Sequence, residues 1–380
     1  MLITIFFTSA LLIVYVYCIY VIILYAVCRI RGRRHRLAHN GPDPHVSILI
    51  PAFNEEKRIK RRIENLLASD YPADKVEIIV ASDGSSDRTA ELAGAYAGEG
   101  VRVLEFESNR GRASVQNDGV SESKGGIVIF TDAETVFENN FIKMITSKFV
   151  DPTVGCVVGN LVYETRGTAV SSSEGIYFRY EKMIRRMESD LGILATATGA
   201  CMAVRRELWR DLTPIDDSDF TTPLDVILQG SRVVYAPDAV AYDEPASSVR
   251  GEIRTRIRQT SKNLIGTLKR WGWKGWVRHP LVSWGLLSHK ILRWLTPFFM
   301  LAAFISNLFL LDEGPFYRAA FTAQAAFYLL ALAGFLGELS KRRVPLGSTV
   351  FSFCVANIGM GLGVIKGLAG RAPAAYKTTE

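Results

Sequence analysis

Residues 2–27, LITIFFTSALLIVYVYCIYVIILYAV, contain no charged side chain. A helix needs about 20 apolar residues to cross a bilayer, and this run exceeds that length. A cleavable leader would have an apolar core of about 7–15 residues after a basic start. Here the run is longer, and the basic cluster Arg29, Arg31, Arg33, Arg34 and Arg36 comes after it. Residues 1–28 therefore read as a retained transmembrane helix, and the cluster puts the following domain in the cytoplasm by the positive-inside bias. Three more apolar runs, at about 294–311, 317–337 and 346–365, give two or three helices within 294–370 before a tail at 371–380. DEGP reads as a tight outer turn between the first two, and SKRR at 340–343 as a return to the cytoplasm. The third run contains Ser, Asn and several Gly, so it spans or re-enters. Lys366, Arg371 and Lys377 leave the side of the C-terminus open.

The net charge of +7 hides an uneven distribution. Residues 47–247 carry 22 basic and 32 acidic side chains, net −10, and the remainder carries 23 and 6, net +17. The basic excess thus lies beside the apolar runs, where it meets anionic headgroups. Nucleic-acid binding would place it on the folded domain, so that class is excluded. The five cysteines form no CxxC pair, which removes a disulfide framework or a zinc site; Cys156 and Cys201 read as small buried residues. A transporter would need charged groups deep in several spans, and these spans are few and nearly charge-free.

Between the first span and about 247 the pattern is strand, turn, helix, repeated. HVSILIPAFNEEKRIKRRIENLL predicts a strand at 46–50, an Asn54 helix cap and an apolar helical face at Ile59, Ile63, Leu66 and Leu67. VEIIVASDGSSDRT repeats it, VRVLEF and GIVIF add strands around a helix in GRASVQNDGVSES, and VGCVVGNLVY adds another strand. Alternation of this kind means an α/β fold, a mostly parallel sheet with helices on both faces, over 44–247. Ligands of such sheets bind beyond the carboxyl ends of the strands, where Asn54, Asp83 and Asp132 fall. DSDFTTPLDVILQGSRVVYAPDAVAY predicts a short helix and two short strands, and 248–293 is a basic, Trp-rich segment suited to the headgroup layer.

In GIVIFTDAETVF an apolar strand ends in Asp132-Ala133-Glu134. On extended backbone both acids would point to one side. Two hard oxygen ligands suit Mg²⁺ or Mn²⁺, which bind through one or two carboxylates plus substrate phosphates. A solvated turn is the simpler reading of an isolated D-x-E, but Asp83 at a neighbouring strand end favours a nucleotide–metal pocket. Neither a dinucleotide nor a P-loop glycine signature is present.

In order, PAFNEE, DGSSDRT, NRGRASVQNDG, FTDAETVFE, ATGACMAVRRELW and SDFTTPLDVILQGSRVVY, between a leading span and trailing spans, resemble a membrane-embedded family 2 glycosyltransferase of GT-A fold. The synthases of hyaluronan, poly-N-acetylglucosamine, chitin and cellulose are related. The resemblance covers nearly the whole chain and implies a role for each matching residue. Glu55 helps hold the nucleoside, although Ala52-Phe53 replace a frequent tyrosine. Asp83 recognises uracil, and Arg112, in place of a lysine, contacts the nucleotide. Asp132 lies near ribose and diphosphate, and Glu134, where an aspartate is usual, binds the metal. Gly199 and Ala200 line the acceptor pocket, unless they are only small packing residues. The family's base lies eleven residues before the Gly of GxRVVY. Counting back from Gly230 gives Asp219, with Asp217 the alternative and Ser218 where a preceding acid usually stands. Gln259 and Lys262 match the diphosphate-binding residues of the interfacial helix, and Asn263 replaces its sugar-stacking tryptophan.

The resemblance implies an inverting transfer from a nucleotide sugar, expected to be UDP-linked, to a lipid-linked or saccharide acceptor at the cytoplasmic face, in polysaccharide or glycolipid biosynthesis. Asn263 favours addition of one or a few sugars. A processive synthase of the hyaluronan or poly-N-acetylglucosamine type and a catalytically silent nucleotide-binding scaffold remain the alternatives. The sugar and any partner subunit are not legible.

Overall fold

A computed structural model describes residues 1–31, 42–163, 169–243, 249–340, 342 and 344–371, with 169–177 as backbone only. Arg33, Arg34, Arg36, Lys341, Arg343 and Lys377, used above to orient the spans, lie outside the described residues, as does the tail after Arg371.

Eight strands form one sheet: β1 Val46–Ala52, β2 Val76–Asp83, β3 Val101–Phe106, β4 Ile127–Phe130, β5 Val136–Phe137, β6 Val154–Tyr163, β7 Met202–Arg205 and β8 Arg232–Asp243. Their order is β3-β2-β1-β4-β7-β6-β8-β5. The β3-β2-β1-β4 half is parallel, whereas β7 runs antiparallel to both β4 and β6. The sheet is therefore mixed, with its parallel half where the motifs lie. Its strand order reverses beside β1, and a ligand crevice opens at the carboxyl ends there. The two short strands expected after Gly230 are one strand, β8, which crosses Pro237 by shifting register against β6.

Period-two alternation divides the core. Ile48, Ile50, Ile78 and Ile129 pack with Ile59, Ile63 and Leu66 of the helix Ile59–Leu67 on one face. Leu49, Ile79, Val128 and Phe130 face the other way. That second core continues without a break into Tyr20 and Leu24 of the first apolar helix and into Trp271, Trp294, Met360 and Val364. The sheet and the apolar helices thus share one interior.

Among the described residues, four helices are long and apolar enough to cross a membrane: Leu2–Arg31, Pro280–Leu308, Pro315–Leu339 and Pro345–Leu368. The second begins well before the apolar run that announced it. A buried polar cluster ties it to the helix Ala169–Leu191 and to the first apolar helix. His289 lies between Glu188 (2.8 Å) and Glu181 (3.0 Å), Arg293 reaches Glu181 at 2.7 Å, and Tyr20 donates to Glu188 at 2.7 Å. Such pairing fixes orientation, because stripping one partner from a buried ion pair costs several kcal/mol.

The Trp-rich segment divides. Trp271 is 1% exposed and donates from Nε1 to Ser283 at 3.0 Å, whereas Trp273 is 71% exposed. The preceding helix, Val249–Gly266, packs along Pro345–Leu368 rather than standing alone. Gly359, Gly363 and Gly367 let the two backbones approach; a Cβ on Gly363 would lie 2.6 Å from Thr260 Cβ. Overpacking of this kind typically costs about 1–3 kcal/mol. Gly363→Val is therefore expected to lower the thermal midpoint in detergent, and an unchanged midpoint would contradict this packing.

Candidate active site

Each motif emerges at the same sheet rim. β1 leads into Asn54, whose φ of +57° is left-handed and whose Oδ1 accepts from the Ser86 N–H at 2.8 Å. It is not the helix cap expected from sequence, because the helix starts only at Ile59. Asn54 instead joins the loops after β1 and β2. Glu55 follows, with its N–H on Thr89 Oγ1 at 2.8 Å and its carboxylate on Arg58 at 3.1 Å.

Asp83, the last residue of β2, is almost wholly buried. Its oxygens accept from the N–H groups of Arg110 (2.7 Å) and Gly111 (2.8 Å). It anchors the turn that starts the helix Arg112–Glu122, where Gly111 takes a φ of +86°. Asp83 therefore aims Arg112, a role its sequence context did not reveal.

After β4 the backbone does not stay extended through Asp132-Ala133-Glu134. It bends, and the Thr135 N–H donates to the Asp132 carbonyl at 3.3 Å. Ala133 is buried in the core and pins the bend beneath both acids. The two carboxylates still feel each other: burial, then the charge of Asp132, and more weakly that of Glu55, hold the Glu134 carboxyl above its ordinary range. Behind the bend lies Arg62, 1% exposed, which donates to Thr131 at 2.8 Å and stacks 4.0 Å over Phe137. Arg62 follows Lys60 and Arg61 on the same helix, so nothing in the sequence singled it out for this support.

Arg112 is the centre of the site. Its Nη2 lies 2.7 Å from Asp132 Oδ1. Burial works against its charge, but the carboxylates of Asp132, Asp219 and Asp217 together hold it firmly protonated. Gly199 closes the gap from the far side: a Cβ there would stand 3.1 Å from Arg112 Nη2 and 3.6 Å from Asp219 Cβ. Asp132, Arg112, Gly199 and Asp219 are thus brought together from four separate segments. Ala200 is buried in the same turn, Gly199–Cys201.

Asp217 caps the helix Ser218–Leu228, and Asp219 sits in its first turn. Burial, then the charge and hydrogen bond of Asp217, push the Asp219 carboxyl well above its usual range, with Arg112 opposing. Lys262 lines the cleft beside this pair, and its ammonium reaches the carbonyls of Pro214 (3.3 Å) and Asp216 (3.5 Å). Gln259 lies on the same helix, and among the described residues it does not line that cleft.

Residues 47–213 match the model of Glycosyl transferase family 2. They form a family 2 glycosyltransferase domain. The chain is 27% identical over 243 residues to the probable glycosyltransferase YdaM of Bacillus subtilis, covering 60% of this chain and 57% of that protein. It is 25% identical over 220 residues to the poly-beta-1,6-N-acetyl-D-glucosamine synthase of Staphylococcus epidermidis, covering 56% and 53%. The chain therefore spans little more than half the length of these relatives. The fold matches the mannosyltransferase PcManGT of Pyrobaculum calidifontis, solved with GDP-Man and Mn²⁺, at a TM-score of 0.73 and 20% identity, over 98% of this chain and 100% of that one. The GT-A-like architecture, apolar helices included, is thus that of a solved protein. The family model stops at residue 213, so the segment holding Asp219 is placed at the site by this chain's own geometry.

Proposed function

We propose that the protein is an inverting, metal-dependent glycosyltransferase that moves a sugar from a nucleotide donor, expected to be UDP-linked, to a lipid-linked or saccharide acceptor. The observation that carries this is Arg112, held between Asp132 on the donor side and Asp219 on the other. Asp219, raised above the usual carboxylate range, is a stronger base than a solvated aspartate and takes the acceptor proton. The acceptor oxygen then attacks the anomeric carbon from the face opposite the diphosphate, which leaves with inversion. Arg112 and Lys262 face the charge that builds on that leaving group, and fixed cations lower such a barrier without reorganising.

The residues fit a hard divalent ion. Asp132 and Glu134 are both carboxylates, and burial first, then the charge of Asp132, holds Glu134 above its ordinary range, a penalty that a bound cation would relieve. No group of three His, Cys, Asp or Glu that could hold a metal occurs among the described residues, so diphosphate and water would have to complete the ion's shell. When bound, Mg²⁺ or Mn²⁺ would offset charge on the leaving diphosphate. The ion in PcManGT supports this reading.

The four apolar helices and the basic cluster after the first support a multi-pass membrane protein with its catalytic domain cytoplasmic. Asn263, where a sugar-stacking tryptophan would stand, favours short products. The poly-beta-1,6-N-acetyl-D-glucosamine synthases among the relatives favour the processive alternative. A donor screen on membranes, reading released nucleotide and labelled lipid or polymer together, tests both. Nucleotide release with small labelled products is expected from at least one nucleotide sugar. A ladder to high polymer would overturn the short-product reading, and no release from any donor would overturn transfer.

A further inference from the structure

The cleft beside Arg112 contains donors that the roles above do not use. Its walls come from the start of the helix Arg112–Glu122, from Pro214 to Ser218, and from one face of Val249–Gly266. Gln116, one turn after Arg112, lines it and is 1% exposed, yet its Nε2 has no hydrogen-bond partner among the described residues. Leaving a buried amide donor unpaired is costly, and native structures keep such groups mostly where something else completes them. A leucine would fill the space at no such cost.

Opposite Gln116 stand Arg258 and Lys262, four residues apart and so on one face of their helix, both lining the same cleft. Burial pulls the Lys262 ammonium below its usual pKa, and its bonds to the Pro214 and Asp216 carbonyls are long, 3.3 and 3.5 Å. An anion between these walls would restore that lost solvation. The guanidinium of Arg258 provides a planar fork suited to phosphate oxygens. A ligand met by an amide N–H, an ammonium and a guanidinium must be rich in acceptors and negatively charged. Asp216 and Asp217 also line the cleft, but Arg110, Arg112, Arg258 and Lys262 outnumber them, so its net charge favours an anion over a neutral sugar or a metal ion.

We propose that Gln116 and Arg258, with Lys262, form a phosphoryl-binding subsite in this cleft. This rests on reading the cleft as the substrate site of a glycosyltransferase, and it adds two residues to that site. The phosphoryl group has two possible sources, the leaving nucleoside diphosphate or the phosphate of a lipid-linked acceptor. The glycines that seat Val249–Gly266 against Pro345–Leu368 bring the cleft wall next to an apolar helix, within reach of either.

The test is calorimetric titration of the purified full-length protein in detergent micelles with EDTA present. Inorganic pyrophosphate and dodecyl phosphate serve as separate probes. Hydrogen bonds to charged groups are worth enough that Gln116→Leu should weaken binding roughly tenfold or more. Arg258→Gln should do at least as much, and it decides the matter alone if Gln116→Leu does not fold. Loss confined to pyrophosphate assigns the subsite to the leaving diphosphate, and loss confined to dodecyl phosphate assigns it to the acceptor. Loss of both supports a subsite open to either. Unchanged affinity for both probes in folded variants, or a wild type that binds neither, overturns the proposal. No sugar donor is present, so a negative result leaves the transfer reading standing, and an enzyme inactive on every donor would leave this titration readable.

Discussion

Asp219→Asn is expected to lower turnover by about 10²–10⁴-fold, the usual cost of losing a positioned base, while UDP affinity stays near wild type. The asparagine keeps the shape of the first helical turn, and the Asp219 carbonyl still accepts from the Ala197 N–H at 2.7 Å. What disappears is the proposed proton acceptor beside Gly199 and Arg112. Product release per enzyme and UDP binding, measured on the same preparation, separate the two effects. Full turnover in the variant would move the base to Asp217.

The same carboxyl sets a pH dependence. As the proposed base, Asp219 acts only when ionised, and burial and Asp217 raise its pKa, so activity should fall on acidification at a pH above the ordinary carboxylate range of about 4. Asp217→Asn removes the raising charge and should move that acid limb to lower pH. The Asp217 side chain makes no capping hydrogen bond to the helix backbone, so the substitution costs no cap. An acid limb that stays in place would contradict the coupling.

Asp132→Asn is the second large effect. It removes one of the two proposed metal ligands and the partner of Arg112 at 2.7 Å in a single step. Even residues that only support a metal ligand cost 10–100-fold in affinity when lost, so Mn²⁺-dependent UDP binding should weaken by at least about that much. The fold should survive, because the bend is pinned by Ala133 and by Arg62 on Thr131. UDP affinity that still responds fully to Mn²⁺ in this variant would remove Asp132 from the ion's shell.

The parallel half of the sheet was legible because its strands are short apolar runs closed by polar turns, a pattern that needs no tertiary information. β6 falls where VGCVVGNLVY predicts it, and β1 begins at Val46 as expected. The acids at the strand ends followed from the same pattern. What could not be read depended on contacts between distant segments. Asn54 looks like a cap locally, yet the loop after β2 claims its side chain. The Asp132–Glu134 stretch looks extended, but buried Ala133 bends it. Arg62, Gln116 and the Glu181–His289–Glu188 cluster gave no signal, since only the fold decides whether a polar side chain on a helix faces water or the interior. The glycines of the last apolar run were visible, but their partner helix was not.

The central proposition is that acids from separate strand ends share one cation-bound donor. Linkage makes it measurable, because two ligands that meet in a site must raise each other's affinity by the same factor. Titrating purified protein with UDP at fixed Mn²⁺, and with Mn²⁺ at fixed UDP, should give one large and equal enhancement in both directions. Mn²⁺ and UDP that bind independently, or not at all, would contradict it.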